Sequence, residues 1–184
     1  METRTREGQH GSCFKKVTLL TAPMTTEPSR VRVLFVCIGN SCRSPMAEAI
    51  ARHRYPELME PSSAGLVAFG SVQSETRAVL IERGIPADGL VSEQLTKEKL
   101  RGADIVINMS GRSGAQLAFQ GGPRIEDWEV GDPFGSDLEV YRDICDEIES
   151  RLAIFAEELK SLPKSEKQAA PPAPRAARRA KRGN

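Results

Sequence analysis

The sequence predicts one α/β domain in which parallel strands are covered by helices on both faces. A strand-like apolar run, Val31 to Val36, leads into a loop and then into a helix-forming run, Met46 to Tyr55. The order strand, helix, strand, helix continues along the chain, which is typical of a parallel sheet with crossover helices. A chain of 184 residues with 39% apolar residues can bury a single core. Open sheets of this kind usually bind ligands at the carboxyl ends of their strands.

Three later segments complete the predicted sheet, and a long helix closes the domain. Asp104 to Met109 is a second buried apolar run, while Ser62 to Gly65 and Arg124 to Trp128 are weaker strand candidates. The last helix is predicted from about Asp137 to Lys160, because apolar residues recur there at spacings of three and four. Its apolar face comprises Tyr141, Ile144, Ile148, Leu152, Phe155 and Leu159. Cys145 lies next to that face and is interpreted as a core residue.

The loop after the first strand, residues 37–44, is built around a thiol and is called the cysteine loop below. Cys37 stands at the tip of the strand, and Gly39 and Asn40 follow shortly after it. Glycine and asparagine best tolerate left-handed backbone conformations, which a loop needs if its N–H groups are to converge on one point. Converging N–H groups and a helix N-terminus bind anions and favour the thiolate. The sequence therefore predicts an anion site with Cys37 as the nucleophile at its floor.

The residues that end the cysteine loop fit the same chemistry. Arg43 supplies a planar fork of donors that matches a phosphate group, which a lysine ammonium does not. Ser44 precedes Pro45, so Ser44 is the predicted N-cap of the next helix, with proline at the first helical position. The Ser44 hydroxyl is also predicted to donate a hydrogen bond to the nearby sulfur.

The run CIGNSCRSPMAEA, which begins at Cys37, resembles the phosphate-binding loop of the low-molecular-weight protein tyrosine phosphatase family, C-x-G-N-x-C-R-S-P-x-A-E. Further along the chain, WEVGDPFG, from Trp128 to Gly135, resembles the Asp-Pro loop of that family. Ser62 to Gly65 is similar to the segment after its second strand, and the matches together cover about residues 30 to 161. The resemblance implies a four-stranded parallel sheet, a phosphocysteine intermediate, and neither a metal nor a cofactor.

The resemblance also implies roles for residues of this chain. Cys37 is the expected nucleophile, Arg43 binds the phosphoryl group, and Asp132 protonates the leaving atom and later activates water. The residues expected to bind phosphate or support the loop are Ile38, Gly39, Asn40, Ser41, Cys42 and Ser44. Gly-Asp-Pro-Phe-Gly is also a strong turn signal, so a purely structural turn at Asp132 is the alternative.

Other kinds of cysteine site fit the sequence poorly. A zinc site would need C-x2-C spacing and a second ligand pair, and Cys37 and Cys42 offer neither. A cysteine protease would need a histidine base, but His10 lies in a polar extension and His53 in the helix after the loop. A non-catalytic phosphopeptide-binding module is expected to have lost the nucleophile or the acid, and this chain retains both.

The expected substrate is a phosphorylated protein or peptide, and Ser41 and Phe134 bear on which side chain carries the phosphoryl group. Position 41 is expected on the pocket rim, where family members acting on phosphotyrosine often carry a branched aliphatic residue. Phe134 is expected to form a wall that suits a phenyl ring or a guanidinium plane. Ser41 is small and polar instead, and with Asp-Pro-Phe-Gly it looks more like the protein arginine phosphatase branch, where a threonine occupies the rim position. From the family as a whole we expect phosphotyrosine, with the protein arginine phosphatase branch as the alternative. Thioredoxin-coupled arsenate reductase needs two further cysteines, and none occurs between Cys42 and Cys145.

Two further expectations concern the support of the loop. The family often has a histidine where Leu90 stands, so we expect Asn40 to be less firmly held here and turnover to be slower. Cys42 lies five positions after Cys37. It is either the partner of a reversible disulfide that protects the nucleophile or a small packed residue.

The charges of the chain are unevenly distributed. Residues 30–162, the predicted phosphatase domain, carry 15 basic and 21 acidic residues, a net charge of −6. Residues 163–184 carry 7 basic residues and 1 acidic residue and lack large apolar side chains, so a disordered basic tail is predicted. A solvated tail is the preferred interpretation, with contact to nucleic acid or an acidic membrane as the alternative. Residues 1–29 lack periodicity and are predicted to be a disordered extension, with Met24 as an alternative start.

The remaining composition favours a cytoplasmic protein. No apolar run approaches the roughly 20 residues that a membrane span needs. Val17 to Ala22 is too short for the apolar region of a signal peptide. Four cysteines without paired spacing fit a reducing compartment. The sequence leaves the oligomeric state open.

Overall fold

The sheet at the centre of the molecule has four parallel strands, and the computed structural model describes residues 30–161 around it. The strands are β1 (Val31–Cys37), β2 (Met59–Gly65), β3 (Ile105–Asn108) and β4 (Arg124–Asp127). Their order is β2-β1-β3-β4, so β1 is paired on both sides and its tip lies in the middle of the sheet edge. The predicted α/β class and parallel sheet are confirmed. The extensions predicted at 1–29 and 163–184 lie outside the described residues.

Helices cover both faces of this sheet. They are α1 (Arg43–Arg54), α2 (Ser74–Glu82), α3 (Lys97–Gly102) and α4 (Leu138–Ser161), with a 3₁₀ turn at Gly114–Gln116. Helices α1, α2 and α4 share the larger apolar cluster with Val33 and Phe35 of β1. Leu100 of α3 and Leu117, just after the 3₁₀ turn, pack in a second cluster with Leu34 and Val36. After Arg32, strand β1 is continuously apolar because both of its faces are buried. None of the helices within residues 30–161 combines the length and apolar content needed to cross a bilayer.

The predicted elements are present with adjusted ends. Strand β2 begins at Met59, three residues before the predicted Ser62, because Met59 pairs with Val31 at the start of β1. Helix α4 confirms the predicted final helix within one residue at each end. Cys145 is fully buried on α4 as predicted, and burial raises the pKa of its thiol to about 11.

The predicted N-cap at Ser44 is wrong. Helix α1 begins at Arg43 with Cys42 as its N-cap residue, and no side chain caps the first turn. Ser44 lies inside that turn, where its buried hydroxyl donates to the sulfur of Cys37 at 3.0 Å instead of capping the helix. Pro45 is therefore the third helical residue, which a helix tolerates because the first N–H groups have no intrahelical acceptor.

Candidate active site

The tip of β1 opens into a cavity of about 160 Å³ that gathers most of the predicted site. It is lined by Cys37, Ile38, Gly39, Ser41, Cys42, Arg43, Phe69, Asp132 and Phe134. The predicted nucleophile, arginine and acid therefore lie around one space, although Asp132 is far from the other two in sequence. Asn40 and Ser44 are fully buried behind this lining.

The carbonyl groups of the cysteine loop are hydrogen-bonded away from the cavity. Cys37 O accepts from Leu66 N at 3.0 Å, Ile38 O from Val67 N at 2.9 Å, Gly39 O from Phe69 N at 3.0 Å, and Ser41 O from Gln73 N at 3.0 Å. A trans peptide is planar, so each of these carbonyls directs the following N–H group the opposite way. No backbone acceptor within residues 30–161 pairs with the N–H groups of residues 38–42. The loop thus presents a set of donors suited to an anion.

Close packing explains two glycines and one left-handed residue. Asn40 has φ of 48°, as the sequence predicted for this loop. Gly39 is required for space, because a Cβ atom there would lie 2.5 Å from the ring of Phe69. A Cβ atom at Gly65 would lie 2.7 Å from Asn40 N, so β2 must end in glycine to let the loop pack against it.

A chain of hydrogen bonds leads from α1 to the thiol. Ser44 Oγ donates to Cys37 Sγ at 3.0 Å and accepts from Asn40 Nδ2 at 2.9 Å. The other hydrogen of Asn40 Nδ2 is donated to Ser63 Oγ at 2.8 Å, and Ser63 Oγ donates to Glu48 Oε2 at 2.5 Å. The single hydroxyl hydrogen of Ser44 has two acceptors within reach, Cys37 Sγ at 3.0 Å and Ala64 O at 3.4 Å, and the sulfur is the nearer. Such a donor stabilises a thiolate.

The expectation that Asn40 is weakly held is wrong. In addition to its two donated bonds, the side chain accepts a hydrogen bond at Oδ1 from Glu93 N at 2.7 Å. A backbone N–H group therefore supplies a donor where the sequence lacks a histidine, while Leu90 is buried in the core. Every polar atom of the Asn40 side chain has a partner, which fixes its orientation.

Arg43 is almost fully buried, and its guanidinium group faces the cavity. Nη1 donates to Met109 O at 2.8 Å, and Nη2 lies 2.5 Å from Asp132 Oδ2. Nε has no hydrogen-bond partner among residues 30–161. Leaving a buried charged donor without an acceptor is unfavourable, so the arrangement suits a bound anion.

Asp132 combines the two interpretations of its loop. Its Oδ1 accepts from Phe134 N at 3.2 Å, which is the Asx-type turn that Asp-Pro-Phe-Gly predicts. Its Oδ2 pairs with Arg43, and the side chain is 43% exposed. The turn therefore holds a carboxyl group at the mouth of the cavity, within reach of solvent.

Two aromatic rings form the rim. Phe69 and Phe134 meet edge to face with ring centroids 5.3 Å apart, and about half of each residue is exposed. Ser41 was expected at this rim, but it is only 3% exposed and lies deeper, because Gln73 and Thr76 cover it by bonding to its carbonyl. Phe69 was not predicted as part of the site, and its only signal in the sequence is an aromatic residue before Gly70 in the loop that follows β2.

Cys42 lines the same cavity as Cys37. Its Sγ lies 3.4 Å from Tyr141 Oη and 3.5 Å from Ser41 Oγ. Burial raises the pKa of the Cys42 thiol, and these hydrogen bonds offset only part of that effect.

His53 is exposed on α1 away from this site. In the part of the chain that the structure describes, no three His, Cys, Asp or Glu side chains are grouped as metal ligands.

Comparison of the sequence with known proteins identifies relatives of this chain. The model of the family "Low molecular weight phosphotyrosine protein phosphatase" matches residues 32–166. A protein-arginine-phosphatase of Geobacillus stearothermophilus is 36% identical over 146 residues, which is 71% of this chain and 97% of that protein. The low molecular weight protein-tyrosine-phosphatase PtpB of Staphylococcus haemolyticus is 32% identical over 130 residues, covering 64% and 92%. Glutaredoxin arsenate reductase of Synechocystis is 32% identical over 123 residues, covering 66% and 92%.

A solved structure shows the same fold. The YwlE arginine phosphatase from Geobacillus stearothermophilus superimposes with a TM-score of 0.60 at 34% identity, covering 71% of this chain and 94% of that one. The four-stranded sheet with its flanking helices is therefore shared with proteins of this group.

Proposed function

Because the chain belongs to the low molecular weight phosphotyrosine protein phosphatase family, we propose that it is a protein phosphatase whose nucleophile is Cys37. One observation carries this proposal. The Cys37 sulfur accepts a hydrogen bond from Ser44 at the floor of a cavity surrounded by outward-bonded carbonyls and inward N–H groups. A thiolate and a phosphoryl group are both stabilised by such donors.

In the first step, the Cys37 thiolate attacks phosphorus in line with the leaving atom. The loop N–H groups and Arg43 bind the three equatorial oxygens, where charge develops in the transition state. Asp132 at the cavity mouth donates a proton to the leaving oxygen or nitrogen as its bond to phosphorus breaks. The product of this step is a phosphocysteine on Cys37.

In the second step, water attacks the phosphocysteine. The carboxylate of Asp132 takes a proton from that water, the phosphorus–sulfur bond breaks, and inorganic phosphate is released. The Ser44 hydroxyl donates to the sulfur as it returns to the thiolate. The pairing of Arg43 Nη2 with Asp132 positions the carboxyl group at the mouth, and this donor must leave Asp132 to bind the phosphoryl group.

Phosphotyrosine is the first candidate substrate, and the aromatic rim supports it. The rings of Phe69 and Phe134 frame the entrance and suit a flat phenyl group directed into the cavity. A phenyl group that packs beside these two contacting rings would direct its phosphoryl group at the donors of the cysteine loop.

Phosphoarginine is the second candidate, and Ser41 favours it. Ser41 is one of the residues that line the cavity, and its small polar side chain suits the N–H groups of a guanidinium better than an aliphatic side chain does. The relative with 36% identity is named as a protein-arginine-phosphatase. Thioredoxin-coupled arsenate reduction is the minor alternative, because it would need two further cysteines and none occurs between Cys42 and Cys145.

The proposal is tested by measuring turnover of matched phosphotyrosine and phosphoarginine peptides by the purified protein. Cys37→Ser should bind phosphate or vanadate and give no turnover, because an alcohol is far less acidic than a thiol. Cys145→Ala is the matched control, since it removes a buried thiol outside the cavity and should retain activity. Near wild-type turnover by Cys37→Ser would refute the mechanism, and the peptide that is hydrolysed identifies the substrate class.

A further inference from the structure

A segment that crosses behind the cavity, residues 92–94, binds both the cysteine loop and the loop after β2, residues 66–70, which is called the rim loop below. Ser92 Oγ donates to Gly39 O at 3.0 Å and accepts from Gly70 N at 3.2 Å. Glu93 N donates to Asn40 Oδ1 in the cysteine loop at 2.7 Å. Gln94 binds the rim loop, because its Oε1 accepts from Ala68 N at 3.0 Å and its Nε2 donates to Leu66 O at 2.7 Å. Ser92 is the member of this segment that touches the peptide between Gly39 and Asn40.

Of the peptide units in the cysteine loop, the Gly39–Asn40 unit is the one whose residues best permit a peptide flip. A peptide flip changes ψ of the first residue and φ of the second, leaving the rest of the chain nearly in place. Gly39 accommodates a wide range of ψ, and asparagine tolerates both signs of φ better than most residues. The φ of Asn40 is 48° in this structure, so a flip would carry it toward the ordinary negative region.

The direction of this peptide matters for anion binding. In the observed orientation Gly39 O points outward to Ser92 and Phe69, so the Asn40 N–H group points toward the cavity. A flip would replace that donor with a carbonyl oxygen, which repels a phosphoryl group. The hydrogen bond from Ser92 is available only in the donor-inward orientation.

We propose that Ser92 is a positioning residue that locks the Gly39–Asn40 peptide with its N–H group directed at the phosphoryl group. Ser92 does not touch the substrate and acts only through Gly39. The kinetic part of this inference rests on the proposed phosphatase function, whereas the binding part requires only that the cavity binds an oxyanion.

The binding part is tested with inorganic phosphate as the probe. Amide signals of the ¹⁵N-labelled protein are followed during a phosphate titration for wild type, Ser92→Ala and Ser92→Thr. Ser92→Ala should weaken phosphate binding by about tenfold and reduce the shift of the Asn40 amide. Removing an oxyanion donor outright costs about 10²- to 10³-fold, and the smaller loss is expected because the Asn40 N–H group remains but is misdirected. Ser92→Thr retains the hydroxyl and should restore both. Ser71→Ala, an exposed serine near the rim loop, is the matched control.

The kinetic part uses p-nitrophenyl phosphate and acetyl phosphate. Ser92→Ala should lower kcat/KM for both by a similar factor and raise the vanadate inhibition constant to match, with a melting temperature close to that of Ser92→Thr. Unchanged phosphate affinity in Ser92→Ala would overturn the inference. A fall in kcat/KM confined to p-nitrophenyl phosphate would also overturn it, because Ser92 would then act by supporting the rim loop, which carries Phe69. If wild type binds phosphate through Asn40 but hydrolyses nothing, the proposed function fails while the titration still decides the role of Ser92.

Discussion

Replacing Arg43 with lysine retains the positive charge and removes the planar fork of donors, so it separates charge from geometry. In the structure Nη1 is bonded to Met109 O, Nη2 to Asp132, and Nε faces no acceptor within residues 30–161. A lysine ammonium is a single point and can occupy only one of these three positions. The ammonium group of Arg43→Lys can therefore donate to Met109 O or to the phosphoryl group. It cannot align two donors on the phosphoryl oxygens.

The expected loss follows from the number of aligned donors. Removing one donor from a preorganised oxyanion site costs about 2.7 to 4 kcal/mol, or about 10²- to 10³-fold in kcat. Arg43→Lys loses at least one such donor, so we expect kcat/KM for p-nitrophenyl phosphate to fall by about 100-fold or more. Affinity for inorganic phosphate should fall less, because the charge remains. Steady-state kinetics and a phosphate titration together measure the two effects.

Arg83 provides a matched control for this change. It also donates to two backbone carbonyls, Val79 O and Arg142 O, and pairs with an aspartate, Asp146, but it lies away from the cavity. Both lysine variants should lose about 1 kcal/mol of hydrogen bonding, which lowers the melting temperature by about 2–4 °C in a chain of this size. Only Arg43→Lys should lose activity. A fall below tenfold, or an equal fall in Arg83→Lys, would refute the assigned geometry.

Three further predictions test other parts of the molecule. Ser41→Ile should raise turnover of phosphotyrosine relative to phosphoarginine peptides by about tenfold or more, the low end of single-group pocket effects, and an unchanged ratio would remove Ser41 as the discriminator. After peroxide inactivation, dithiothreitol should restore more activity in wild type than in Cys42→Ala, whereas equal recovery would show that Cys42 only packs and does not protect Cys37. Burial raises the pKa of Asp104, but hydrogen bonds from Arg32 outweigh this effect and hold the pKa below its usual value. The Asp104 carboxylate therefore stabilises the folded protein above about pH 4, and this contribution is lost as the pH falls further. Denaturant unfolding should show a larger stability difference between wild type and Asp104→Asn at pH 7 than at pH 3, and equal differences would contradict this assignment.

The features that the sequence predicted well are those encoded over short distances. The apolar run of β1 and the helical periodicity of α4 each specify an element without reference to the rest of the chain. The cysteine loop is also local, because eight consecutive residues contain the thiol, the left-handed position and the arginine. Its strand and turn could therefore be predicted together, whereas the helix begins at Arg43, two residues before the predicted Pro45.

The features that were missed depend on contacts between distant segments. Glu93 and Ser92 each reach the cysteine loop across 53 residues of sequence, and Asn40 reaches Ser63 across 23. Such bonds follow from strand order and register, which no short pattern reveals. The N-cap error at Ser44 has a local origin instead, because the sulfur of Cys37, seven residues earlier, binds the hydroxyl that would otherwise cap the helix.

The inward N–H groups of the cysteine loop have a consequence for how this kind of protein diversifies. Every residue except proline contributes the same N–H group, so the side chains at Ile38 and Ser41 are free to change without altering the donors that hold the anion. Selection can thus exchange the surroundings of the phosphoryl group one residue at a time while the catalytic apparatus is inherited unchanged. This separation is a physical reason why one loop can serve relatives that are named for different chemistries.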